Sequence, residues 1–236
     1  GYVMAKSNVN EIFYKVADCP ALESVAFKVL DAADPDDLEI RKRMLNILNK
    51  KDCTESDLYL EVAKRICEVE PNDGCMYSIA MQHLKKQEYA SAYKNFKDAV
   101  ELCGDCEDLE KYLLRAGQSA SLSGQHQIAY NYAQKLLAKN PNSGDAYLLM
   151  GDALVGARNT CGDKDLNKWG MYWAATDLYE KARAVDSSVA SKAASKISSC
   201  TNQYPTKNDL FFYTMKAGDA YQVECWVNKQ TTARTQ

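Results

Sequence analysis

The sequence predicts an all-α protein, an array of antiparallel helix pairs stacked one on the next and followed by a short β-structured tail. Three observations carry this. Chain breakers are sparse, with 5 prolines and 11 glycines in 236 residues, so stretches rich in Ala, Lys, Leu and Glu run long without interruption, which favours helices over the frequent turns of a sandwich or barrel. The prolines are also spaced. Asp34-Pro35-Asp36, Glu70-Pro71-Asn72 and Asn140-Pro141-Asn142 each end a helical pattern, and their prolines stand 36 and 70 residues apart. The longer gap is two periods, so a boundary without proline is expected inside it, and Cys103-Gly104-Asp105 provides one built on glycine. A recurrence of about 35 residues marks a repeat array. Finally, Ile79, His83 and Lys86 share one side of a helix while Tyr77, Met81 and Lys85 share another. A helix with apolar residues on two faces is sandwiched, as stacking requires, because each pair buries surface against the units before and after it.

Composition removes several function classes. Hydrophobic residues at 46% and charged residues at 26% are the balance of a folded globular chain, which argues against extended disorder. The net charge is −3, and lysines alternate with acids along the helices. No basic stripe forms, so nucleic acid is not an expected partner. No run of 18 apolar residues exists, and no membrane-spanning helix is expected. The chain opens at Gly1 without an initiator Met, so a signal segment is expected to have been removed. Nine cysteines, at 19, 53, 67, 75, 103, 106, 161, 200 and 225, point towards an oxidising compartment. Their odd number leaves at least one thiol free or paired with another chain.

The repeats fall at about 4–37, 40–73, 73–106, 110–143 and 144–189, and a Ser- and Ala-rich helix at 188–201 closes the array. Phe27 and Pro35 mark the first unit, Ala63 and Pro71 the second. The third carries Met76, Ile79-Ala80, His83, Ala92, Phe96 and Ala99; the fourth Leu113, Ala116-Gly117, Ala120, Ala129, Ala133 and Pro141. The fifth has Tyr147, Met150-Gly151, Leu154, Ala175, Tyr179 and Ala182. Small residues sit where two helices must approach closely, and aromatics fill the space beside them. In these residues the sequence resembles the tetratricopeptide repeat family over about four fifths of its length. It departs from the family at the first large position, where no Trp appears and where the second unit has Arg43.

The resemblance implies a right-handed superhelix whose first helices line a concave groove for an extended peptide or a partner helix. Carried over, it nominates Met44 and Leu48, Tyr77, Met81 and Lys85, Leu114 and Gln118, and Leu148 and Asp152, each set spaced by four and so sharing a face. The Lys and Asn set by which some relatives clamp a C-terminal carboxylate is missing, which disfavours that ligand.

Two departures from the repeat follow. The fifth unit carries extra residues at 158–168, after which helix is expected to resume at Trp169-Gly-Met-Tyr-Trp173. Such insertions customise one face of a solenoid; here Trp169, Tyr172 and Trp173 either pack as core or offer a stacking platform for a glycan. Beyond Tyr204-Pro205 the helical spacing stops. Leu210–Lys216, a turn at Gly218-Asp219, and Ala220–Val227 with alternating Tyr221, Val223, Cys225 and Val227 read as a β-hairpin. The tail of 204–236 is expected to fold back as a C-terminal cap on the helix carrying Ala190, Ala193, Ala194 and Ile197. Its Pro205-Thr-Lys207, Phe211-Phe212, Gly218, Cys225-Trp226 and Thr231-Thr232 resemble the tails of exported bacterial envelope repeat proteins, which implies a periplasmic or cell-surface location. Since insertion and tail both leave the last unit, Cys161 is expected to pair with Cys225, or alternatively with Cys200.

Catalytic signatures are missing. Cys103-Gly-Asp-Cys106 has the C-x2-C spacing of a redox dithiol or half a zinc site, yet it sits at a repeat boundary with no adjacent strand and no further ligand pair in view. It reads as a turn holding buried thiols or a disulfide. His83 falls at a packing position and His126 at a surface one after Gly124. No nucleophile elbow, zinc-helix, phosphate-loop or dinucleotide motif occurs. The expected function is therefore a non-catalytic protein-interaction scaffold without cofactor or metal, binding a protein or peptide. A structural part in an envelope complex and a glycan-binding protein are the alternatives.

Overall fold

Most helices in this chain begin where a short polar side chain can accept the unpaired amides of a first turn. Asp18 accepts from the amide of Ala21, Asp37 from Ile40, Ser56 from Tyr59, Asn72 from Cys75 and Ser143 from Ala146, at 2.9–3.3 Å. The computed structural model describes residues 17–34, 37–54, 56–161 and 165–236. Residues 1–16, which include the first helix expected of the first repeat, Pro35-Asp36, Glu55 and residues 162–164 of the insertion lie outside the described residues. The chain divides between Cys103 and Gly104 into two compact units.

The first unit contains α1 (Cys19–Asp31), α2 (Leu38–Lys50), α3 (Asp57–Val69), α4 (Asp73–Lys85) and α5 (Tyr89–Cys103). Leu22, Leu45, Leu48, Tyr59, Val62, Ala63, Ile66 and Ile79 form one continuous core across α1 to α4. In the α4–α5 pair Ala80, Ala92, Phe96 and Ala99 are completely buried, so the small residues of the repeat pattern do sit where helices meet. Two disulfides hold this unit: Cys19–Cys53 joins the start of α1 to the turn after α2, and Cys67–Cys75 spans the turn around Pro71.

The second unit contains α6 (Leu109–Leu122), α7 (His126–Lys139), α8 (Gly144–Ala157), α9 (Asp165–Val185), α10 (Ala190–Thr201), α11 (Lys207–Phe212), β1 (Ala220–Val223) and β2 (Lys229–Thr232). Ala116, Ala120, Ala129 and Ala133 are fully buried between α6 and α7, and Leu154, Ala175 and Ala182 between α8 and α9. Among the described residues this makes eleven α-helices and one two-stranded sheet.

The tail differs from the expected hairpin. Leu210–Lys216 is not a strand: the Thr206 hydroxyl accepts from the amide of Asp209 while the Asp209 carboxylate accepts from Thr206, a reciprocal cap that starts helix α11 instead. The antiparallel pair is formed later, by β1 and β2, with Tyr221 opposite Thr231 and Val223 opposite Lys229. Its loop runs through Cys225 and Asn228, both in the left-handed region.

The surface receiving the tail also differs. It is α9, not the helix of Ala190, Ala193, Ala194 and Ile197, of which Ala194 is exposed. Asn167, Gly170, Trp173 and Asp177 recur along one stripe of α9. Tyr221 lies on Gly170 and donates to Asn167 at 2.8 Å. The Trp173 indole donates to the Arg234 carbonyl at 3.0 Å, and Arg234 returns a bond to the Trp173 carbonyl. Asp177 accepts from Thr231 at 2.6 Å and pairs with Arg234 at 2.5 Å. α9 is long, at 21 residues, and it presents one stripe to the tail while another packs on α8.

Candidate protein-interaction surface

In the first unit the groove-lining residues nominated from sequence separate into two groups. Tyr77 and Met81 on α4 stay half-buried and Lys85 is exposed. Tyr77 meets the Phe96 ring edge-on at 5.4 Å, and Lys85 donates to the Thr54 hydroxyl at 2.9 Å. These three form an amphipathic strip. Met44 and Leu48 on α2 do not belong to a surface: both are buried, Leu48 within the core of Leu22 and Tyr59. Spacing by four selects a face of α2, but α1 and α3 both pack against that helix.

In the second unit Leu114 and Gln118 lie half-buried on α6, with Arg115 donating to the Gln118 side-chain Oε1 at 3.2 Å. Leu148 on α8 is buried, so it too belongs to the core and not to a groove. Asp152, one turn further, is half-exposed and accepts from the Tyr179 hydroxyl at 2.8 Å and the Lys196 ammonium at 2.6 Å. Lys196 also stands 5.7 Å over the Tyr179 ring. This carboxylate, ammonium and phenol cluster draws on α8, α9 and α10 together. Lys196 was not found from sequence, since only the approach of α10 to α8 brings it to Asp152.

The electrostatics of this cluster favour neutral donors. Burial first, then the neighbouring Asp152 carboxylate, push the Tyr179 hydroxyl far above the ordinary tyrosine range, so it stays protonated and donates. Burial likewise pushes the Cys200 thiol up to about 11. A thiol so shifted is no nucleophile at neutral pH.

This arrangement of stacked helix pairs has structural counterparts. The chain shares its fold with MamA, a tetratricopeptide-repeat protein. One MamA crystal structure is 17% identical over 78% of this chain and 91% of its own, at a TM-score of 0.59. A second is 16% identical over 74% and 92%, at 0.55. MamA from residue 41 onwards of Desulfovibrio magneticus RS-1 is 14% identical over 71% and 95%, at 0.51. No family model and no curated protein matches the sequence. At this level of identity the MamA likeness carries the fold and nothing of a partner.

The remaining sequence-derived sites resolve as follows. Cys161 and Cys225 form a disulfide, with Cα atoms 5.4 Å apart, while Cys200 is buried and free. Cys103 and Cys106 are disulfide-bonded, and Gly104 between them takes a φ of +62°. Oxidised sulfurs of this kind supply no thiolate for zinc. The Trp169, Tyr172 and Trp173 platform does not exist: Trp173 is completely buried, Tyr172 is half-buried, and Trp169 is turned edge-on to Tyr213 at 5.7 Å. Stacking a sugar needs ring faces open together, so a glycan site on these residues is overturned. His83 bonds Glu88 through Nδ1. His126 is half-buried at the surface: its ring lies on Gly156, with Nδ1 buried and unpartnered among the described residues.

Proposed function

We propose that this chain is a non-catalytic interaction module of the bacterial envelope that binds an extended peptide or a partner helix along the first helices of its pairs. The observation that carries the reading is the half-exposed strip of Leu114, Gln118 and Asp152. It lies on first helices whose other side chains, Leu113, Ala116, Ala120, Leu148, Leu149 and Leu154, are buried. Side chains left half-exposed in such a scaffold mix apolar area with hydrogen-bonding groups, the composition by which helical grooves recognise peptides. Tyr77, Met81 and Lys85 offer the same mixture in the first unit. At the Asp152 cluster Tyr179 and the neighbouring Cys200 are held in their neutral forms, so these two groups offer neither a base nor a nucleophile there. The disulfides support an oxidising compartment, and the periplasm or cell surface is the one proposed.

The test is site-specific photo-crosslinking. A benzophenone side chain at Gln118 in the full chain, irradiated with a native envelope fraction, should give a discrete adduct identifiable by mass spectrometry. A label at exposed Lys94 serves as control. Leu114→Asp should abolish the Gln118 adduct without changing the helical circular dichroism. Equal adducts from Lys94 and Gln118, or an adduct indifferent to Leu114→Asp, would remove the strip from the binding surface.

A further inference from the structure

Phe211 and Phe212 stand out of the surface at 77% and 84% exposure, more bare than any other large apolar side chain among the described residues. A single exposed apolar residue is ordinary, but two adjacent phenylalanines held open to water mark a site of interaction. They are held, not dangling. The Thr206–Asp209 cap starts their helix, Leu210 beneath them is completely buried, and Tyr213 behind them meets Trp169 edge-on. The amides of Tyr213 and Met215 close back on the Leu210 carbonyl, and that of Thr214 on Phe211.

Beside the rings lies a hollow of about 320 Å³ lined by Lys207, Leu210, Phe211, Met215, Lys216 and Ala217. Its floor is apolar and its charges are two ammonium groups. No acid lines it. The nearby carboxylates face their own backbone instead: Asp209 accepts from the amide and hydroxyl of Thr206, and Asp219 accepts from the amide of Lys216. Among the described residues neither Lys207 nor Lys216 has an ion-pair partner.

We propose that this corner docks on a membrane surface carrying anionic phospholipid. Phe211 and Phe212 enter the boundary between headgroups and acyl chains, while Lys207 and Lys216 meet the phosphates. The Trp169–Tyr213 pair stands behind them at headgroup level, where amphipathic rings of this type concentrate. Exposed apolar rings alone would suit a protein as well. Two cations without an ion-pair partner over an apolar floor, with both neighbouring acids engaged by Thr206 and by the Lys216 amide, select instead an amphiphile that joins a phosphate to an alkyl chain. Each lysine close to an anionic surface strengthens binding roughly fivefold, so the contact is reversible and sensitive to salt.

Co-sedimentation of the full chain with phosphatidylcholine vesicles, with and without phosphatidylglycerol, tests the proposal. Binding is expected only with phosphatidylglycerol, and it should weaken as salt is raised. Phe211→Ser with Phe212→Ser should lower it at least tenfold. Lys207→Gln with Lys216→Gln should lower it roughly twenty-fivefold at low salt, by two fivefold steps. All four side chains project from the surface, so an unchanged melting temperature confirms that fold is retained. Brominated lipid should quench the fluorescence that is lost in Trp169→Phe. Failure of the wild-type chain to sediment with anionic vesicles overturns the proposal, as does equal binding by the serine variant. A dimer seen by light scattering without lipid, lost in the serine variant and with no vesicle binding, would assign the patch to a second copy and overturn it too.

Discussion

Gly151 on α8 lies flat against the ring of Tyr179 on α9, so near that a β-carbon at position 151 would fall on the ring's Cε1, Cζ and Cδ1 atoms. The contact is fixed from both ends. Tyr179 is buried and its hydroxyl is tied to Asp152, the residue next to Gly151, so the ring cannot swing away without breaking that bond. A glycine whose match to the repeat pattern was a single letter is thus the close approach around which the last helix pair closes.

Gly151→Ala should therefore overpack the α8–α9 contact and cost roughly 1–3 kcal/mol, read as a lower denaturant midpoint. Gly117→Ala is expected to cost less. There the nearest atom is Cδ2 of Leu149, the end of a flexible side chain that can rotate aside. Equal losses at both positions would show that the rigidity assigned to Tyr179 is wrong.

The Cys161–Cys225 bridge closes a loop across 64 residues between the insertion and the tail. In the chain-entropy account, constraining a loop of that length stabilises a fold by about 4 kcal/mol. Cys161→Ser with Cys225→Ser should lower the melting temperature and make the bonds after Lys216 and Lys229 sensitive to limited trypsin. Under non-reducing conditions the wild-type chain should yield a peptide linking the two cysteines, with Cys200 alkylated only after unfolding.

How much of this was legible in advance depended on whether a residue acts locally. Pro71, Gly104 and Pro141 break the chain by their own backbone preferences, so the helix ends beside them could be read from them. Ala80, Ala116, Ala129 and Ala182 are small because helices meet there, and periodic spacing revealed them. The tail misled because Leu-Phe-Phe-Tyr has the composition of a strand, while Thr206 and Asp209, three apart, had already set a helical cap. Propensity lost to capping. Met44, Leu48 and Leu148 were misplaced for another reason: spacing tells which residues share a face, but not whether another helix covers it. The Asp152–Lys196 pair crosses 44 residues and depends wholly on how α10 returns to α8.

Acid should destabilise the protein in part through His126. Burial, then the nearby Arg158, lowers its pKa below the usual 6.5. The unfolded chain then takes up the proton at a higher pH than the folded one, so the stabilising difference is fully present above about 6.5 and is lost as pH falls towards the lowered folded value. His126→Gln keeps a polar group and cannot titrate. Denaturant midpoints at pH 7.5 and 5.5 should fall more for the wild type than for His126→Gln, and parallel losses in the two would show that carboxylates alone account for the acid sensitivity.

Removing residues 205–236 should lower the melting temperature and promote aggregation, because the tail supplies one wall of the last helix pair. Trp173 is completely buried, yet its indole nitrogen reaches only the Arg234 carbonyl and its ring meets Tyr221 edge-on at 5.6 Å. Without the tail that ring faces water along the same stripe as Gly170 and Asp177. The buried contacts that Leu210, Val223 and Ala233 make in the intact chain go with the tail, and burial of each large apolar side chain is worth roughly 1.5–3 kcal/mol. A two-stranded sheet has little stability alone, so strands and α9 hold each other. Truncation is a coarse change, and Arg234→Met makes the finer test. It keeps most of the side-chain length and leaves the main-chain bond to Trp173, but it strips Asp177 of its guanidinium partner and Trp173 of the donor to its carbonyl. Asp177 then keeps the Thr231 hydroxyl and the field of Lys229 at a site less than one third exposed, and breaking such a partly buried pair should cost about 1–3 kcal/mol. Intrinsic tryptophan emission should move to longer wavelength in the truncated chain and stay near the wild-type value in Arg234→Met. A truncated chain that remained monomeric, with unchanged melting temperature and unchanged emission, would mean that α9 keeps its fold without the tail.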